Sequence, residues 1–209
     1  MSTIGNGQAA GTPRKRMPRA QRERQMIEVA ETVFAEQGYV AASMDDIAER
    51  VGVSKPMLYE YFESKEGLLL ACIRQARTEL YETTLRAAKS AGSAEEALRA
   101  GLHAYFLFIS ERKQAWALLR QEMTLIGTSA SDEIEVTRQH QTDMIVGVMR
   151  GFVPAAPDQQ VDALAEFVVG GCERMAIWSE RHADVTPETV TEYAMDLLWA
   201  GLARRTANS

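Results

Sequence analysis

Ser43 to Phe62, SMDDIAERVGVSKPMLYEYF, constrains the fold more than any other stretch of this 209-residue chain. It reads as two short helices joined by a turn centred on Gly52, the layout of a helix-turn-helix. Ser43 stands at an N-cap position, and Asp46 follows three residues later at a capping-box spacing. Ile47 and Val51 are four apart and share a helical face, while small Ala48 lets a second helix cross close by. Gly52 suits the left-handed conformation that ends a helix, and Val53 then points back into a small core. Ser54 caps the next helix, and Pro56 sits in its first turn, where a missing N–H matters little. Leu58 and Phe62, again four apart, face inward. That leaves Lys55, Met57, Tyr59 and Tyr61 largely outside the apolar pair.

Those residue types suit DNA. A lysine can meet a phosphate or a guanine edge, proline and methionine can touch a thymine methyl, and tyrosine hydroxyls donate to phosphate oxygens. The motif alone also fits an ordinary pair of short helices in a helical protein. The longer pattern is more specific. Gly52-Val53-Ser54-Lys55-Pro56-Met57-Leu58-Tyr59-Glu60-Tyr61-Phe62, followed by Ser64-Lys65-Glu66, resembles the DNA-binding domain of the TetR family of transcriptional repressors. Upstream, Ile27, Ala30, Val33, Phe34, Ala35, Gly38 and Tyr39 match the family's first helix and its Gly-aromatic exit. The match covers about residues 20 to 70, and beyond it only length and helical layout agree. The resemblance implies that Ser43, Ser54, Lys55, Met57, Tyr59, Tyr61 and Lys65 occupy DNA-facing positions. Ser43, Tyr61 and Lys65 would hold phosphates, and Lys55, Pro56, Met57 and Tyr59 would lie nearest the bases. Met57 is bulky where smaller residues are common, which makes readout there apolar. Glu60 adds a negative charge near a polyanion.

The net charge of −6 runs against a DNA-binding role until its distribution is considered. Residues 1–24 hold six basic side chains (Arg14, Lys15, Arg16, Arg19, Arg22, Arg24) against one acid, Glu23. Residues 66–209 hold 14 basic and 20 acidic side chains, so the acid excess can face away from DNA. Local charge sets phosphate attraction. Cys72 and Cys172 lack a C-x-x-C spacing and read as buried, reduced thiols. No apolar run approaches the roughly 20 residues that span a bilayer, and the polar N-terminus lacks a signal-peptide apolar region. A cytoplasmic protein without a membrane partner is expected.

Along the chain the expectation is all-α, with about nine helices and no strand. Residues 1–17 form a disordered basic arm, either lying along DNA or serving as a solubilising tail. Residues 18–65 form a three-helix DNA-binding domain, and residues 66–209 a larger effector-binding and dimerisation domain. Ser64 caps a fourth helix carrying Leu68, Leu69, Cys72, Ile73 and Leu80 towards Ala88, long enough to act as a lever. Helices follow over about 94–110, 114–126, 132–152, 158–182 and 187–205. The Pro154–Pro157 segment and Thr186-Pro187-Glu188 mark breaks and caps.

The last two helices form a hairpin with long apolar faces: Val161, Leu164, Val168 and Cys172 on one, Val190, Tyr193, Leu197, Leu198 and Leu202 on the other. The resemblance implies that two such hairpins pair in a homodimer. A two-fold dimer sets two recognition helices about 34–36 Å apart and predicts a palindromic double-stranded DNA operator. The alternative is that these faces complete a monomer core. His103, Phe106, Trp116, Met123, Met144, Phe152, Phe167, Glu173 and Trp178 combine bulk, apolarity and a few polar groups, which suits a pocket for a largely apolar small molecule. Residues at helical spacing also serve simply as core, and the resemblance favours the pocket. Its ligand would shift the fourth helix and misalign the two reading heads, provided it binds the off-DNA state more tightly.

Two other classes compete. An enzyme would need a constellation that the chain lacks: no H-E-x-x-H, no Gly-rich phosphate loop, no G-x-S-x-G. His140 and Asp143, three apart, could share a metal, but no further ligand cluster accompanies them and a solvated helix face is the simpler reading. No metal or cofactor is expected. An architectural or partner-recruiting DNA-binding protein would share the same reading head but have a filled C-terminal core.

Overall fold

The computed structural model describes residues 17–121, 139, 142–143, 145–151 and 154–206, with Gln121 and residues 201–206 as backbone. All regular structure among them is helical: α1 Arg19–Ala41, α2 Met44–Val51, α3 Lys55–Phe62, α4 Lys65–Lys89, α5 Ala94–Glu111, α6 Lys113–Gln121, α7 over 145–151, α8 Asp158–Ser179 and α9 Pro187–Thr206. The all-α expectation holds among the described residues, with boundaries close to those read from the caps where both ends are described; the expected ends at 126, 132 and 152 lie outside them.

Local chemistry explains these boundaries. In α1, Gly38 takes φ 76°, ψ 163°, a region essentially reserved for glycine, and breaks the helix before its last residues. Ser43 caps α2 by accepting from the Asp45 N–H at 3.1 Å. Asp46 is no capping-box partner: its carboxylate accepts from Gln37 Nε2 at 2.9 Å and from Arg50 Nε at 3.0 Å, because a charged partner one turn on outcompetes a backbone N–H. Gly52 ends α2 in the left-handed region, φ 78°, ψ 38°, and the Gly52 and Val53 N–H groups both reach the Ala48 carbonyl at 3.0 Å. Ser54 sits at the N-cap of α3, but its hydroxyl makes no cap hydrogen bond.

The α3–α4 junction is tight. Glu63 has φ 62°, ψ −41°, and the Ser64 N–H turns back to the Phe62 carbonyl at 2.6 Å, a γ-turn of the rare positive-φ kind. Ser64 Oγ caps α4 by accepting from the Gly67 N–H at 2.9 Å. A Cβ on Gly67 would stand 2.2 Å from the Phe62 carbonyl oxygen, so only glycine fits.

Two cores result. The first gathers Met26, Ile27, Val33 and Phe34 of α1, Ile47 and Val51 of α2, Leu58 and Phe62 of α3, and Leu68, Leu69, Cys72 and Ile73 of α4. The second is built from α4, α5 and α6–α9. Helix α6 belongs to both: Leu118 is buried in the first, Ala115 and Trp116 in the second, and Leu119 touches each. Helix α9 packs more extensively on α5 than on α8, so α9 is less one arm of a free-standing hairpin than a cover for α5.

Candidate DNA-reading surface and inter-helix cavity

Because Leu58 and Phe62 anchor α3 inward, Pro56, Met57 and Tyr59 are left exposed, as are Ser43 and Ser54 at the two N-caps. Lys55 lies beside them with a partner: its ammonium donates to Asp45 at 2.9 Å, which raises its pKa through that hydrogen bond and the attraction of the carboxylate. This contact brings the first turns of α2 and α3 together. Lys65 is directed elsewhere. Its Nζ donates to the Val40 carbonyl at 3.2 Å and lies 4.7 Å from the Tyr39 ring centroid, tying α4 to the end of α1. Tyr61 is half-buried against the first core, with the Arg19 guanidinium 4.8 Å from its ring centroid. Arg50 spans Asp46 and Glu36, the latter at 3.1 Å. Sequence reasoning missed Asp45 and Arg19. Asp45 carried a faint signal as an acid in the first turn of a helix, while Arg19 reaches Tyr61 only through the fold.

Behind the reading head lies a cavity of about 570 Å³. One face of α4, through Arg77, Leu80, Tyr81, Thr84, Leu85 and Ala88, forms a wall. Helix α5 adds Leu98, Leu102 and Tyr105, α6 adds Trp116 and Leu119, and α7 and α8 contribute Ile145, Met149, Val168, Cys172 and Glu173. The lining is mainly apolar, but Tyr105 Oη and Trp116 Nε1 are buried without a hydrogen-bond partner. Burial, reinforced by Cys172 and Glu173, holds the Tyr105 phenol well above its usual range. Burial first and Glu173 second push the Cys172 thiol up to about 12, so it stays protonated.

Of the expected pocket residues, Trp116 and Glu173 line this cavity. Phe106 is buried in the second core but does not border it. His103 instead bonds Glu188 at 3.2 Å across α5 and α9, and borders a smaller recess of about 370 Å³. Phe167 and Trp178 point outward, 68% and 38% exposed. Each helical residue turns by about 100°, so Phe167 cannot share the inward direction of its neighbour Val168. Met123, Met144 and Phe152 lie outside the described residues, as does His140. Asp143 accepts from Gln139 Nε2 at 2.9 Å.

The expected dimer face needs the complementary correction. Val161, Val168, Cys172 and Val190 are buried within the protomer and have little surface to offer. Leu164 and Leu198 are half-buried, and the Leu202 side chain lies outside the described residues. Tyr193 and Leu197 are 50% and 76% exposed. Phe167 and Trp178 are likewise exposed on α8, and the Trp178 and Tyr193 rings approach to 6.2 Å. Among the described residues, nothing beyond the helix's own neighbouring backbone lies within 4 Å of a Cβ placed on Gly170 or Gly171.

The C-terminal end of α5 is tied to the head and to α4. Arg112, at the C-cap of α5, pairs with Glu79 of α4 and with buried Glu31 of α1 at 3.4 Å. Burial raises the Glu31 carboxyl pKa, and Arg112 opposes that shift. Among the described residues no helix is long and apolar enough to cross a membrane.

Known proteins share this arrangement. An activator named FasR from Mycolicibacterium smegmatis is 28% identical over 207 residues, covering 95% of this chain and 92% of that protein. The repressor KstR2 of the same species is 23% identical over 189 residues, covering 88% and 92%. Among solved structures, a TetR-like transcriptional regulator from Rhodococcus sp. RHA1 superposes with a TM-score of 0.71 at 29% identity, covering 90% of this chain and 99% of that one. The relatives are transcriptional regulators rather than enzymes. Residues 26–72 match the model of the bacterial regulatory proteins of the tetR family, and residues 94–201 that of the tetracyclin repressor-like C-terminal domain. Head and body thus point the same way, and the chain belongs to the TetR family of DNA-binding transcriptional regulators.

Proposed function

We propose that this protein is a cytoplasmic, effector-responsive repressor that binds a palindromic operator as a homodimer and is released by a largely apolar small molecule. The observation that carries the reading is the 570 Å³ cavity walled by one face of α4, the helix that leaves the reading head. A filled body would favour an architectural role, whereas this volume lies within the roughly 300–1,000 Å³ of ligand sites. Residues 18–65 read DNA, with Ser43, Ser54, Pro56, Met57 and Tyr59 as the exposed contact set. Lys55 joins them by exchanging Asp45 for a phosphate or base. Tyr61 and Lys65 act mainly by fixing α3 and α4, with phosphate contact secondary.

Residues 66–209 sense and dimerise. The second copy covers Phe167, Trp178, Tyr193 and Leu197, with the uncovered glycines of α8 allowing close approach. Effector binding displaces α4 directly. It also displaces α6, whose Leu118 is embedded in the first core, so the two heads leave operator spacing. The relatives' names include both activator and repressor; release on ligand binding makes this protein a repressor wherever its operator overlaps a promoter.

The test is binding of purified protein to labelled DNA from beside its own gene, against scrambled DNA, with salt varied. A two-fold footprint on the specific fragment is the expected result. Equal, steeply salt-dependent binding to both fragments would favour the architectural role or a distant operator, and no binding at low salt would remove the DNA-reading assignment.

A further inference from the structure

The stretch from Ser43 to Glu66 carries three basic side chains, Arg50, Lys55 and Lys65, against six acidic ones. Each of the three cations has a partner within the chain. Arg50 is held by Asp46 and Glu36, Lys65 by the Val40 carbonyl, and Lys55 by Asp45. The basic excess of the first part of the chain lies elsewhere, between Arg14 and Arg24. General attraction to phosphates therefore draws little on this stretch. Lys55 is the one cation of α3 and its first residue. In a helix-turn-helix the N-terminal residues of the second helix meet base edges, while the first helix crosses the backbone.

Asp45 governs what Lys55 can do there. It is the second residue of α2, and its carboxylate accepts from Lys55 Nζ at 2.9 Å. Both side chains reach solvent, Asp45 at 69% exposure and Lys55 at 43%. An ammonium has three N–H donors, so Lys55 can keep one on Asp45 and turn another to the neutral O6 or N7 of a guanine. A phosphate instead brings a second anion against Asp45, and either that repulsion or the loss of the pair opposes the contact. Of the two partners open to Lys55, phosphate or base, the pair thus favours the base. It also restrains a long side chain before DNA arrives, which lowers the entropy spent on a base contact. We propose that Asp45 is a specificity-determining residue that acts through Lys55, turning the lysine away from phosphates and towards a base edge. This rests on the reading-head assignment above.

The experiment selects a duplex from a random library of about 40 base pairs with the full-length wild type. Binding of that duplex and of the unselected library is then measured across a salt series. Wild type, Asp45→Asn, Lys55→Gln and the double variant are compared. Asp45→Asn should tighten binding to the unselected library about fivefold, the upper scale of one exposed ion pair. It should also steepen the log–log salt dependence by up to about 0.9, the value of one added phosphate contact. The selected duplex should gain less than about twofold, so discrimination falls. In the Lys55→Gln background, Asp45→Asn should change library binding by less than about twofold, because no cation is left to release. A fivefold gain that persists without Lys55 would make Asp45 a simple repeller of DNA and overturn the proposal. Equal gains on both DNAs, or none on the library, would overturn it as well, and each of these results leaves the reading head standing. A wild type that enriches no sequence would overturn the reading-head assignment and the proposal with it.

Discussion

The two cores of this molecule are built from similar residues yet filled to different degrees. Most of the largest fully buried side chains belong to the first, including Phe34, Met26, Ile47, Leu58, Leu68, Leu69 and Leu118. The second core owns a cavity of about 570 Å³ and leaves Phe167, Trp178, Tyr193 and Leu197 exposed outside it. A part that must present the same surface to DNA is packed solid, since close-packed interiors transmit strain instead of absorbing it. On the proposed function, a part that responds to a molecule keeps space for it. The difference separates reading from sensing in physical terms.

The sharpest way to break the contrast is at the outer surface of the second core. Leu197→Glu should convert the proposed dimer to monomer in sedimentation equilibrium and weaken operator binding about 10²–10⁴-fold through lost bivalency. Unchanged affinity would mean that this surface is not the dimer seam. Next comes truncation inside each core. Leu58→Ala should lower unfolding free energy by about 2–5 kcal/mol. Leu80→Ala, which merely enlarges existing space, should fall at the low end of that range or below it. Urea denaturation at fixed protein concentration compares the two, and equal losses would erase the distinction between solid and hollow.

Backbone constraint gives a third, smaller effect. Gly38→Ala forces a side chain into φ 76°, ψ 163° and should lose about 1–3 kcal/mol. Ser64→Ala, which removes the cap of α4, should lose about 1 kcal/mol. Thermal melts of both variants should follow that order. The mildest test concerns pH. The Thr186 hydroxyl, a backbone N–H and His103 hold the exposed Glu188 carboxyl at about 2, below its usual 4.5. A depressed carboxyl stabilises the fold above its unfolded value, and that contribution fades as pH falls from about 4.5 towards 2. Glu188→Gln should therefore flatten the acid limb of the stability profile over that window, and an unchanged limb would assign it to other carboxylates.

The reading head was legible because its determinants are local. Ser43, Gly52 and Pro56 announce their roles within a few residues, and the i, i+4 pairs choose the inward face unaided. Helix α8 was harder for the opposite reason. Phe167 and Val168 are adjacent and both apolar, so only the packing partners reveal which turns towards the cavity, and the expected pocket and dimer residues were partly exchanged. The Asp45–Lys55 pair and the Arg112–Glu31 contact depend on residues 10 and 81 positions apart, beyond any periodicity. Glu63 carried no signal at all, since a positive φ without glycine is imposed by the junction around it.

That junction has a consequence for how such a molecule can change over time. A γ-turn at Glu63, a capped first turn and a glycine pressed against the Phe62 carbonyl leave no play between α3 and α4. Helix α4, 25 residues long, is a rod of about 38 Å. On the proposed mechanism, such backlash-free coupling lets a new ligand merely tilt this rod and a new operator merely redecorate α3. Either end of the machine can be replaced without retuning the other.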